Sequence, residues 1–288
     1  MAYQPRLPKT NVNVSRQRPL ADLLLIGPAL TVLLLLLYWL LGLAVDKAIS
    51  QLDPKLEYQW FGQWQQPSAS SPVQQQLQQL SDQLQQCTAL AYPVRVSYLD
   101  QPLVNAGVLP GGSMLVYRGL LTQLPTENAL AFVLAHELAH LEQRDHLRGL
   151  GRGLVLAVLS ATLTGSANAG QIFLPATELG MARHSQQREL AADARALAIL
   201  HCHYGHIGGA ERFFQTLAVS DSSQLPDWFA SHPALQKRLT ALQTEQQRHG
   251  YPVQAEQPLP EVLQKLSVVE SGAVSAAEPA QQKAKKPQ

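Results

Sequence analysis

The sequence has almost no net charge, almost no cysteine and no visible internal repeat. Its 22 Lys+Arg against 21 Asp+Glu leave a formal charge of +1, so no global basic field marks it as a nucleic-acid binder. Two cysteines, Cys87 and Cys202, cannot form a disulfide framework, and neither sits in a Cys-x-x-Cys pair. One bridge between them is the most they can make. Charged residues are only 15% of the chain and hydrophobic residues 46%, which excludes a wholly disordered protein. The 288 residues suffice for one substantial domain with accessory segments, or two small domains.

What is present begins with residues 23–45, LLLIGPALTVLLLLLYWLLGLAV, a run without a charge. As helix it extends about 35 Å, enough to cross a hydrocarbon core of about 30 Å, whereas a signal-peptide core is about 7–15 residues. Arg6, Lys9, Arg16 and Arg18 precede it and only Lys47 and Lys55 follow closely. This asymmetry predicts a single-pass protein of the cell (inner) membrane, with a cytoplasmic N-terminal segment (1–22), a transmembrane helix (23–45) and everything later outside the cytoplasm, where Cys87 and Cys202 can oxidise. A Gln-, Pro- and Ser-rich stretch at 46–72 reads as a linker, in which Trp60, Phe61 and Trp64 either rest on the bilayer or pack on their own domain. Residues 73–251 form the expected folded domain, and the Pro-, Gln- and Ala-rich 252–288 reads as a disordered tail.

Within the domain, Val73, Leu77, Leu80, Leu84 and Cys87 make one apolar helical stripe. Val94, Val96 and Tyr98 alternate as a strand, and the apolar runs 103–109 and 114–117 flank Pro110-Gly111-Gly112 as a hairpin. Helical pattern follows, with Thr126 as N-cap and no glycine or proline breaker until Gly149.

This last helix carries HELAH at 136–140, a His-Glu-x-x-His motif. Its histidines, four residues apart, project from one face and can share a metal ion, and Glu137 can reach a metal-bound water. An exposed His/Glu face is the alternative. A catalytic zinc needs a third protein ligand, and RELAADARALAIL at 188–200 puts Glu189 and Asp193 one turn apart. Glu189 can complete the site while Asp193 accepts a hydrogen bond from a ligand imidazole; alternatively both pair with Arg188 or Arg195 as an acidic helix face. His201, His203 and His206 read as helix-end histidines beside Gly205, or as a separate metal tract.

Four segments together resemble the membrane-associated gluzincin peptidases that include the CAAX prenyl endopeptidase and the HtpX heat-shock protease. They are NAGVLPGG (105–112), HELAH (136–140), HSQQRELAAD (184–193) and SHPALQKRL (231–239). Gly107, Gln186 and Ala191 depart from the family pattern, whereas Glu189 and Asp193 keep it. The resemblance implies an α+β, mainly helical zincin-type domain with a small sheet. It implies one Zn2+ per chain at His136, His140 and Glu189, with Glu137 as general base and proton shuttle. It also brings His232 to the metal, either to stabilise the oxyanion or to occupy the open position in a resting state, and makes Arg238 an anchor to an acidic partner.

Because His140 and Glu189 must meet at one metal, the uncharged stretch 154–174 does not span the membrane. Its Gly165, Ser166, Asn168 and Gly170 favour a hairpin or loop over the site that dips into the bilayer surface. A substrate peptide is expected to add as a strand beside residues 103–108, at Asn105 and Ala106. The expected function is a membrane-anchored metalloendopeptidase acting on unfolded or damaged envelope proteins, with polypeptides and the membrane as partners and no nucleic acid. Its rival is a latent peptidase that holds polypeptides as a chaperone or assembly factor. An integral prenyl-protein protease would need several spanning helices, and only one good candidate exists.

Overall fold

The structure is a computed structural model and describes residues 19–62, 71–164, 185–219, 232 and 235–266. It is mostly helical with a three-stranded sheet. Helix α1 (Pro19–Gln51) leads into α2 (Pro54–Phe61), α3 (Pro72–Gln85), β1 (Arg95–Leu99), β2 (Ala106–Leu109), β3 (Ser113–Tyr117) and α4 (Arg118–Gln123). Then come α5 (Glu127–Gln143), α6 (Asp145–Thr164), α7 (Gln186–Tyr204), α8 (Ala210–Val219) and α9 (Leu235–His249).

Helix α1 contains the uncharged run and is long and apolar enough to cross a membrane, and its apolar side chains from Leu20 to Leu43 are largely exposed. It does not stop where the linker was expected. The helix continues to Gln51, and α2 follows with Asp53 as N-cap and Pro54 at its first position, where a missing N–H does no harm. Trp60 is exposed, and Trp64 lies outside the described residues.

The sheet order is β1-β3-β2, with β3 parallel to β1 and antiparallel to β2. The expected hairpin forms around Gly111 and Gly112, both at positive φ (82° and 81°). A Cβ on Gly111 would lie 2.6 Å from the main chain of Phe61 and Gly62, so this turn tolerates no side chain. The free edge of β1 is closed by glutamine side chains of α3. Gln74 accepts from Tyr98 N (2.7 Å) and donates to Val96 O, Gln78 accepts from Val96 N (2.9 Å) and donates to Val94 O (2.8 Å), and Gln85 bonds Val94 N and Tyr92 O. A primary amide offers both N–H donors and a carbonyl acceptor, as a peptide offers one of each, so α3 stands in for a fourth strand along β1. Its other face buries Leu77, Leu80 and Leu84.

Helix α5 is the centre of the molecule. Thr126 caps it as expected, accepting from Ala129 N (3.2 Å), and every residue from Asn128 to Leu141 is buried. A helix apolar on all sides is a core helix. Here α3 and β2 cover one side, and α7 and α8 the other. It ends before Gly149, because Arg144 adopts a left-handed conformation (φ 59°) that turns the chain directly into α6. That bend places the Arg144 guanidinium on Ile49 O (2.8 Å) and Leu52 O, closing the C-terminus of α1.

The expected tail is ordered well past 252. Glu127 N donates to Gln257 O (3.0 Å), Gln257 N to Asn128 Oδ1 (2.6 Å), and Thr126 Oγ1 to Glu256 Oε2 (2.6 Å). Residues 256–258 therefore cover the N-terminus of α5, and Leu259 and Leu263 join the core. The polar composition hid this, because the segment contributes mainly backbone partners to a helix end. Residues 154–164 of the uncharged stretch belong to α6, and the hairpin or loop expected at 165–174 lies outside the described residues. Cys87 and Cys202 form a disulfide joining the end of α3 to α7.

Candidate metal centre

Residues of three of the four motifs converge. Helix α5 presents His136 and His140 one turn apart, α7 packs against it and brings Glu189 in its first turn, and His232 enters just before α9. One donor atom from each lies within 4.8 Å of all the others, and all four residues are buried. His136 Nε2 is 3.0 Å from His140 Nε2, 3.3 Å from His232 Nδ1 and 3.5 Å from Glu189 Oε2. Glu189 Oε1 is 3.4 Å from His140 Nε2, and both its oxygens are 3.1 Å from His232 Nδ1. A tetrahedral ion with ligands about 2.0–2.1 Å away has donor-to-donor edges of about 3.3 Å. Four lone-pair donors at that spacing repel one another unless a cation or protons lie between them. The set therefore fits a metal ion.

The electrostatics agree. Burial opposes protonation of His140, yet the carboxylates of Asp145, Glu189 and Glu137 outweigh it and push the ring up to about 10. Burial likewise works against the Glu189 carboxylate, but His232, His136 and His140 hold it well below the usual range. On His232 burial prevails and pulls the ring down despite Glu189. A pocket that draws a proton this firmly draws a metal cation for the same reason.

Each imidazole on α5 is oriented from behind. Asp193 Oδ1 sits 2.9 Å from His136 Nδ1, and Asp145 Oδ2 sits 3.0 Å from His140 Nδ1. A carboxylate at Nδ1 favours a proton there and leaves Nε2 to face the other donors. Arg238 anchors to acidic partners, as the motif implied. Its fork donates to Asp193 through Nε and Nη2 (2.7 Å each), and Nη1 lies 2.8 Å from Glu189 Oε2. The guanidinium is fully buried and stacks 4.8 Å above the Phe214 ring centre. Burial opposes the Asp193 charge, and Arg238 with His136 more than offsets it, so its pKa falls below the ordinary value.

Asp145 escaped the sequence reading. It is no motif residue, and the left-handed bend at Arg144 that aims it back at His140 carries no glycine to announce it. Glu137 is buried, its carboxylate oxygens have no hydrogen-bond partner among the described residues, and Oε1 faces His232 Nε2 at 3.6 Å. Asn105 and Ala106, at the start of β2, are buried; Asn105 O accepts from Tyr117 N (3.2 Å) and Ala106 N donates to Asn105 Oδ1 (2.8 Å), so the structure does not present these two residues to a peptide at the surface. The histidine tract makes no second centre among the described residues. His201 lies against Tyr251, His203 against Tyr204, and His206 Nδ1 accepts from Gly208 N (3.0 Å).

Comparison with known proteins agrees with this geometry. Residues 67–246 match the model of peptidase family M48. The chain is 26% identical over 143 residues to the mitochondrial metalloendopeptidase OMA1 of Arabidopsis thaliana, covering 50% of this chain and 30% of that one. It is 26% identical over 190 residues to the OMA1 metalloendopeptidase of Danio rerio (59% and 39%). It is 28% identical over 162 residues to the beta-barrel assembly-enhancing protease of Yersinia pestis (51% and 33%). The matched regions cover about a third of each relative's length. With the family model covering well over half of the sequence, the chain belongs to peptidase family M48.

Proposed function

We propose that this chain is a zinc-dependent metalloendopeptidase, held in the cell membrane by α1 with its N-terminus cytoplasmic. Unfolded or damaged envelope proteins are its proposed substrates. The observation that carries the reading is the buried set of four converging donors, with the Glu137 carboxylate beside it and without a hydrogen-bond partner among the described residues. Such a group is costly to keep unless something at the site uses it. His136, His140 and Glu189 are the proposed ligands of the ion. Three nitrogen and oxygen ligands with a fourth position for water suit zinc, which when bound supplies Lewis acidity to a carbonyl and to water. Glu137 takes the proton of the attacking water and returns it to the leaving amine. The substrate main chain is proposed to add as a strand beside residues 103–108, where β2 is an edge strand of the sheet. The Cys87–Cys202 bridge supports an oxidising, extracytoplasmic compartment for the domain. A relative named for beta-barrel assembly supports envelope proteins as substrates.

His232 favours a second reading of the same site. Its Nδ1 takes the place of a fourth donor, which is the arrangement of a resting enzyme and of a latent peptidase that holds polypeptides. The test is casein cleavage and zinc content of the full chain beside its Glu137→Gln and His232→Ala variants. About one zinc per chain, with cleavage lost in Glu137→Gln, supports the peptidase. A gain of activity in His232→Ala makes that residue a displaceable occupant, and a loss gives it a part in the chemistry. Zinc without cleavage in every form would favour the holding protein, and no zinc would overturn the site.

A further inference from the structure

A second site lies between the end of α1 and the start of α7. A cavity of about 840 Å³ opens there, lined by Asp46, Arg144, Arg148, Arg152, Arg188 and Ser185 among others. Among the described residues, Asp46 is the one carboxylate that faces Arg148 (3.7 Å), Arg152 and Arg188 (3.8 Å) together. Of the other acids nearby, Glu142 goes to Arg195 at 2.6 and 3.0 Å, Glu57 lies 3.9 Å from Arg144, and Asp145 divides between His140 and Arg188 (3.3 Å). Three guanidiniums thus share Asp46, with Arg144 beside them. Buried nitrogens on two of the four, Arg144 Nη2 and Arg152 Nε, have no hydrogen-bond partner among the described residues. Guanidinium forks left positive and incompletely bonded in a cavity of ligand size are a receptor for an anion, phosphate above all.

The position of the cavity names the source of that phosphate. Asp46 is the first charge after the uncharged run of α1. Helix α6 runs antiparallel beside it: Arg144 meets Ile49 and Leu52, Arg148 and Arg152 meet Asp46, and the Gly151 Cα comes close to Val45. Beyond Arg152, α6 also turns apolar, with Leu154 and Val158 more than half exposed. Two adjacent helices therefore change from apolar to charged at one level. If α1 spans the bilayer, that level is the headgroup layer. We propose that the Arg144/Arg148/Arg152/Arg188 cavity binds the phosphate of an anionic phospholipid headgroup. The occupant would lie two side chains from the metal centre, through Arg188 and Asp145 to His140.

The proposal rests on α1 as a membrane anchor, and one preparation tests the two separately. The full chain is reconstituted into phosphatidylcholine vesicles, and alkaline carbonate extraction is applied. Release from the vesicles would refute the anchor and the lipid occupant with it. With the anchor retained, the detergent-solubilised chain is titrated with short-chain phosphatidylglycerol, short-chain phosphatidylcholine and inorganic phosphate, following the melting transition. We expect phosphatidylglycerol to bind at least tenfold more tightly than phosphatidylcholine. Arg152→Gln, at a partly exposed side chain, should weaken it at least fivefold, and Asp46→Asn, which removes the competing carboxylate, should strengthen it. The last result separates a binding site from a structural ion-pair cluster, in which loss of Asp46 would only destabilise. Equal binding of the two lipids, or Asp46→Asn weakening phosphatidylglycerol, would overturn the proposal. Inorganic phosphate binding as tightly as phosphatidylglycerol would overturn the lipid as occupant.

Discussion

Arg238 makes the sharpest test of the centre. It is fully buried and satisfies two carboxylates at once, with bonds of 2.7, 2.7 and 2.8 Å to Asp193 and Glu189. Arg238→Met keeps much of the volume over Phe214 and removes the charge. Asp193 then loses both of its arginine bonds while remaining buried, and breaking a buried pair by deleting one partner costs about 3–5 kcal/mol. In a domain of about 150–250 residues that is a fall in Tm of about 6–20 °C. Asp193 also holds His136 Nδ1, so the loss reaches the proposed ligand, and metal affinity should fall about 10–100-fold. Arg238→Lys restores the charge without the fork and should recover part of the stability. The assay is thermal unfolding with and without chelator, paired with competitive zinc titration. An Arg238→Met protein melting within 2 °C of wild type (about 1 kcal/mol or less), with unchanged zinc affinity, would refute the argument.

Two further predictions concern stability. The Cys87–Cys202 bridge closes a loop of 115 residues. By chain entropy it contributes about 5 kcal/mol, so Cys87→Ala/Cys202→Ala should melt about 10–20 °C lower; a Tm indifferent to reductant would contradict this. Glu57 is buried and bonded to His146 (2.7 Å), Gly111 N (3.2 Å) and Tyr92 (3.3 Å), with Arg144 at 3.9 Å. Burial pushes its carboxyl up, but His146, Gly111 N and Arg144 together bring it below the ordinary value. A carboxylate lowered in this way stabilises the fold fully above about pH 4.5 and loses that contribution as pH falls through its folded pKa. Glu57→Gln should therefore cost about 1–3 kcal/mol at neutral pH and progressively less below about pH 4. Denaturant titrations from pH 7 to 3 check this, and a constant difference across that range would count against it.

Much of the centre was legible because its parts are local. His136 and His140 are fixed relative to each other by one turn of helix, and Glu189 with Asp193 by another, so spacing alone aligns them. The glutamines of α3 were visible only as composition, since their role depends on a strand that pairs with them through main-chain atoms any sequence would offer. The packing of residues after 252 leaves as little trace in the sequence, for the same reason. It holds the N-terminus of α5 with backbone groups, and only Leu259 and Leu263 hinted at burial.

The sequence by itself determined the apolar length of α1, the N-cap and period of α5, and the local pairs His136/His140 and Glu189/Asp193, because these rest on short-range sterics and helical period. Only the tertiary structure decided that His232 comes within reach of those donors, that Asp145 faces His140, and that three arginines meet Asp46 at the end of the apolar run. The first and last join residues far apart in the chain, the second rests on a left-handed bend at Arg144, and no local pattern encodes which groups such packing and bends bring together.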